Sequence, residues 1–260
     1  MRFLIRAHLV YDTTQPVDLL LQIEAAAEET QRLHAVEMTF DSGTTHYSLA
    51  GEEGIGTRRW IQTGLGFECR YHAQVDVTRR VTALNALAQT SWGQIPADVI
   101  KFLMPSRYCH PELFLDFVST QFGDLQGGAL ICAMRDWISS NFRYDSASSP
   151  AGTTATDSFN SLSGVCRDYA HMLITFARAA GIPARFVSVY GADVAPQDFH
   201  AVTEVYLSGA WHLVDATGMA KTAEMVRIGV GRDAADTSFM TSYGWMNLVE
   251  QSVEVRRIAF

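Results

Sequence analysis

Three residue types recur here in an order that can support nucleophilic chemistry: Cys166, His200 and Asp215. Cys166 follows Gly164-Val165 and opens the apolar stretch Cys166–Ala180, which stops at Gly181-Ile182-Pro183. That punctuation predicts a helix with the sulfur at its N-terminus, where free N–H groups and the helix dipole favour thiolate. The same N–H groups can receive the oxyanion formed when sulfur attacks a carbonyl. Asp198-Phe199-His200 and Trp211-His212-Leu213-Val214-Asp215 supply a base and a group to orient it.

Those residues need two strands and a turn to position them. Ala201–Leu207 and Trp211–Ala216 are β-rich, with Ser208-Gly209 between them as a two-residue hairpin loop. Leu207 then faces Ala210, Asp215 lies opposite Val202, and His200 shares their face. His200 and Asp215 become diagonal neighbours with Cβ atoms about 7–8 Å apart or less, within reach of a carboxylate–imidazole hydrogen bond. A slip of one residue would separate them onto opposite faces. Cys166 is read as nucleophile, His200 as base and then acid, and Asp215 as the support for imidazolium. Asp198 is a competing carboxylate, read as a turn residue at the strand entry. Tyr169 and His171 are read as packing residues, and Cys69, Cys109 and Cys132 as buried thiols.

The surrounding chain divides into regions. Residues 1–80 form short β-rich runs separated by turns, the pattern of a β-sandwich. A connector follows over 81–110, with a short helix over Pro96–Met104. Helical spacing takes over in Pro111–Phe122 and Ala129–Phe142, and Thr156 or Asp157 caps a short helix toward Leu162. Helices followed by strands make the second region α+β rather than doubly wound.

These segments together resemble the transglutaminase-like superfamily, in its bacterial branch described as cysteine proteases. Gly164-Val165-Cys166-Arg167-Asp168-Tyr169-Ala170-His171, Gly181-Ile182-Pro183-Ala184-Arg185, Asp198-Phe199-His200-Ala201, Glu204–Leu207 and Trp211–Thr217 carry the resemblance. Pro105–Cys109 and Gly231–Asp236 add to it, and the N-terminal region resembles that branch more weakly. The resemblance implies a papain-like core over 111–260, with the cysteine helix packed on an antiparallel sheet. Asp168 is read as complementing the first turn of its helix and, with Tyr169, Arg232 and Asp233, is a candidate to line a substrate cleft; a loop salt-bridge cluster with Asp236 is the other reading of Arg232 and Asp233. Val202-Thr203 stand where many relatives have an aromatic after His-Ala, so an aromatic substrate wall is not expected there.

Composition bounds the function. A 260-residue chain with 48% hydrophobic and 18% charged residues has the material for a large folded core. The net charge of −8 argues against nucleic acid or an anionic membrane as partner. No membrane-length apolar run and no leader-like N-terminus are visible, and the four scattered cysteines fit a reducing cytoplasm. No metal or other cofactor is implied, since no ligand spacing or calcium loop is present. The expected activity is acyl transfer on a peptide or protein amide through a thioester, hydrolytic rather than cross-linking. The alternative is a binding or assembly protein that keeps the fold with little turnover.

Overall fold

The computed structural model describes residues 1–259. The first part of the chain lays down β1 (Arg2–Asp12), β2 (Asp18–Leu21), β3 (Gln31–Phe40), β4 (Thr45–Ala50), β5 (Thr57–Gln62) and β6 (Phe67–Val77). β1 shows why: Phe3, Ile5, Ala7, Leu9 and Tyr11 point inward in strict alternation, so one face is apolar. Two four-stranded sheets result, and β1 lies next to β6 with β3 outside it, while β5 lies between β2 and β4. Phe3, Ile5 and Leu9 meet Leu19, Leu21 and Ile61 between the sheets, forming the sandwich core.

After a connector that holds only short 3-10 turns, including Ile100–Leu103 where a helix over Pro96–Met104 was expected, the helices begin. They are α1 (Leu115–Phe122) and α2 (Gly127–Asn141), then the two-residue β7 (Arg143–Tyr144), α3 (Ala155–Ser161) and the two-residue β8 (Ser163–Gly164). The cap of α3 is Thr154, not Thr156 or Asp157: its hydroxyl accepts from the Asp157 N–H while the Asp157 carboxylate accepts from the Thr154 N–H. The reciprocal pair satisfies two helix-end donors at once and outcompetes the later threonine.

The central helix α4 (Cys166–Ala179) is buried along nearly its whole length from Asp168 to Arg178. It packs on an antiparallel sheet of β9 (Ala184–Tyr190), β10 (His200–Leu207), β11 (Ala210–Val214) and β12 (Val226–Gly231), in the order β11-β10-β9-β12. Ala201, Val205 and Leu207 join the core beneath α4. Val202 faces the other side, with Val187, Val189 and Val230.

The chain then returns to its beginning. β13 (Met240–Ser242) adds to β2, and β14 (Asn247–Ile258) runs antiparallel along the whole of β1. The last strands therefore complete the sandwich rather than the cysteine-bearing region expected over 111–260. Tyr190, Val226 and Ile228 from the second sheet share the sandwich core, so the two regions are packed as one body.

Candidate active site

Cys166 is the first residue of α4, and Val165 before it is extended. The turn into the helix is fixed by Asp168, whose Oδ2 accepts the Val165 N–H at 2.8 Å. Gly164 is required for this arrangement, because a Cβ there would lie 2.6 Å from both Cβ and Oδ2 of Asp168. The Gly-Val-Cys-x-Asp pattern thus encodes a close approach of strand end to helix cap.

The hairpin register matches the spacing argument. Leu207 pairs with Ala210 and Thr203 with Val214, which places Asp215 next along the strand, level with Val202. Ser208 (φ 50°) and Gly209 (φ 78°) both lie in the left-handed region, as a tight two-residue turn needs. Across this hairpin His200 Nε2 donates to Asp215 Oδ2 at 3.1 Å. Asp215 also accepts from Thr217 N–H (2.9 Å), the Thr217 hydroxyl (2.7 Å) and Ala220 N–H (3.0 Å). Burial raises the Asp215 pKa, but His200, Thr217 and Ala220 outweigh it and hold the carboxyl below its ordinary range.

His200 is buried, and its Nδ1 has no hydrogen-bond partner among the described residues. Burial alone would lower the imidazole pKa; the hydrogen bond to Asp215 and the neighbouring Cys166 sulfur reverse this and raise it to about 10. As the first residue of β10, His200 meets the helix N-terminus at the strand's end, although its strand face looks away from α4. Asp198 is not the partner of His200: its Oδ1 accepts from Phe199 N–H and Gln251, each at 2.8 Å.

Tyr144 was not singled out by the sequence. β7 pairs in parallel with β8, setting Tyr144 level with Gly164, and the tyrosine lies beside Cys166. Burial and the adjacent sulfur push its pKa up, so it remains a protonated donor. It is 41% exposed and stands at the mouth of the site. No local pattern could have flagged it, since a two-residue strand distant in sequence brings it in.

The four residues expected to line a cleft have partners inside the protein. Asp168 caps α4, and the Tyr169 hydroxyl donates to Phe142 O at 3.0 Å. Asp233 is buried and accepts the Tyr108 N–H at 2.8 Å, and Arg232 pairs with Asp236 at 2.8 Å. Arg178 ties these parts together, donating to Ala184 O, Met104 O and Arg232 O. His171 is buried and accepts the Ala234 N–H through Nε2, and its surroundings hold it neutral: burial, then Arg167 and Arg178, push its pKa well down. All four cysteines are free thiols, and burial pushes those of Cys69 and Cys109 up to about 12. Among the described residues no cluster suited to a metal ion is present, and no helix is long and apolar enough to cross a membrane.

Comparison with known proteins follows the same outline. Residues 123–216 match the transglutaminase-like superfamily. The crystal structure of a "putative cysteine protease" from Cytophaga hutchinsonii is similar over 100% of this chain and 92% of that one, at 28% identity with a TM-score of 0.93. The periplasmic domain of TgpA from Pseudomonas aeruginosa aligns over 83% of this chain and 77% of its own, at 16% identity with a TM-score of 0.44. An uncharacterized protein of Mycobacterium leprae is 29% identical over 119 residues, 42% of each chain, so this chain spans less than half of that curated relative.

Proposed function

From the premise that residues 123–216 form a transglutaminase-like core, we propose that the protein is a cysteine-dependent hydrolase of peptide or protein amides, acting through a thioester. One observation carries this reading. A thiol at a helix N-terminus adjoins a buried imidazole whose other nitrogen is held by a carboxylate at 3.1 Å.

The steps follow from those contacts. The Cys166 proton resides on His200, and the sulfur attacks the amide carbon while the C=O electron pair moves to oxygen. Cys166 N–H and the Tyr144 hydroxyl are placed to receive that oxyanion. The imidazolium gives its proton to the nitrogen, the C–N bond breaks, and amine leaves behind a thioester. Water then attacks the thioester carbon, giving its proton to His200. The C–S bond breaks, the acid departs, and the proton taken from water stays on His200 beside the released sulfur. Asp215, held by Thr217 and Ala220, fixes the imidazole in one orientation throughout. An amine in place of water would make the same site a cross-linking enzyme.

Iodoacetamide labelling across pH tests the thiol. The wild type is expected to show one fast thiol, absent in Cys166→Ala and slowed in His200→Ala and Asp215→Ala. Uniformly slow labelling with a midpoint near the ordinary thiol value of about 8.5 overturns the reading in favour of a binding protein. Acyl-donor turnover with and without added amine then separates hydrolysis from transfer.

A further inference from the structure

Behind the catalytic hairpin lies a second cavity, of about 740 Å³, where the sandwich, α2 and the second sheet come together. Arg79 and Arg80 enter it from the end of the sandwich, Arg135 from α2, and Arg185 and Arg227 from β9 and β12. Such a concentration of guanidinium groups is unexpected in a chain with net charge −8.

The carboxylates nearby do not balance them. Glu204 is buried and is shared by Arg185, at 2.8 Å, and Arg227. Glu28 is shared by Arg227 and Arg79, the latter at 3.3 Å. Three arginines thus divide two carboxylates. The crowding is felt by Arg79, whose pKa is pushed down by burial and by Arg227 beside it. Arg227 Nε is buried with no acceptor. Arg80 has no hydrogen-bond or ion-pair partner among the described residues, and Arg135 pairs only with its exposed neighbour Asp136. The remaining lining oxyanion, Asp215, is already taken by His200 and two backbone amides.

Three largely buried arginines over two carboxylates leave positive charge in excess, and the exposed, unpaired Arg80 adds to it at the cavity's edge, so an entering anion would meet a net positive wall. The walls also offer an apolar side. Arg185 stacks on Trp211 at 4.2 Å, and Leu213 and Val214 continue the surface. The fork geometry of guanidinium suits planar, bidentate capture of carboxylate or phosphate.

We propose that this cavity is a binding site for a small anionic compound carrying carboxylate or phosphate groups, distinct from the Cys166 thiol. Citrate and inorganic phosphate are the two probes, titrated calorimetrically into the full chain. Binding is expected to be saturable for at least one of them. It should weaken about ten-fold or more, equivalent to roughly 1.4 kcal/mol, in Arg80→Glu and in Arg135→Glu. Arg256→Glu, an exposed charge reversal outside the cavity, should leave it unchanged. Since Arg80 is exposed and unpaired, its replacement leaves the buried ion-pair network intact, and a thermal melt verifies this. No saturable heat with either probe, saturable binding that survives Arg80→Glu, or equal weakening in Arg256→Glu overturns the proposal.

Discussion

Individual side chains at the thiol site divide into those that react and those that set charge. If the proposed mechanism holds, Tyr144 donates to the oxyanion, and Tyr144→Phe should lower turnover of an amide substrate about 10²–10³-fold, the usual cost of losing one such donor. Iodoacetamide labelling of Cys166 forms no oxyanion and should fall far less, which separates this role from a loss of thiol reactivity. His200 makes a different prediction, about stability. Its folded pKa of about 10 exceeds the ordinary 6.5, so between those values the native state binds the extra proton. The stabilisation is complete below pH 6.5 and is lost as pH rises toward 10. Asp215, with its depressed pKa, acts in the opposite direction: its contribution is present above the ordinary 3.8 and vanishes as pH falls below it. Urea midpoints at pH 6 and pH 9.5 should differ in the wild type, and the difference should shrink in His200→Ala. Equal slopes in both proteins would refute the assignment.

At the level of elements, the close fit of β8 to α4 is the point most open to test. Gly164→Ala forces a Cβ against the carboxylate that caps the helix, and should cost roughly 1–3 kcal/mol in urea denaturation while slowing Cys166 labelling. Gly152→Ala, where a Cβ meets nothing within 4 Å, is the matched control and should behave as wild type. How much of this was legible depended on locality. The Ser208-Gly209 turn gave the His200–Asp215 register, because that signal lies within one hairpin. The cysteine helix was read to within one residue, from glycine and proline punctuation. Tyr144 was invisible because β7 is two residues long and is held only by a distant strand. Asp168 was legible as a complement to the first turn of α4 and accepts the Val165 N–H there, whereas the Asp233 bond to the Tyr108 N–H joins segments far apart in sequence and left no local signal.

The whole molecule is closed by its last strand. β14 was not legible beforehand because its Val253 and Val255 bury a short apolar stripe between charged neighbours, and nothing local says that the stripe belongs to β1 at the other end of the chain. β1 is an interior strand only because β14 covers one side of it while β6 covers the other. Removing residues 245–260 would uncover the full length of β1 as an apolar, hydrogen-bond-hungry edge, the geometry that drives pairing between chains. It would also withdraw the Gln197–Val255 hydrogen bonds and the Arg257 pairs to Asp193 and Glu224, which tie the cysteine-bearing region to the sandwich. The truncated chain should therefore lose cooperative urea unfolding and form oligomers in light scattering. By comparison, Val255→Ala in the full chain should cost only about 1–3 kcal/mol and leave it monodisperse relative to wild type. Cysteine labelling is the discriminating readout: if β14 is a structural closure on which the site depends, the truncated protein loses its single fast thiol along with its fold. A truncated chain that unfolds cooperatively at the wild-type midpoint and still labels at one fast cysteine would show that the catalytic region stands without the sandwich, against the shared core of Tyr190, Val226 and Ile228.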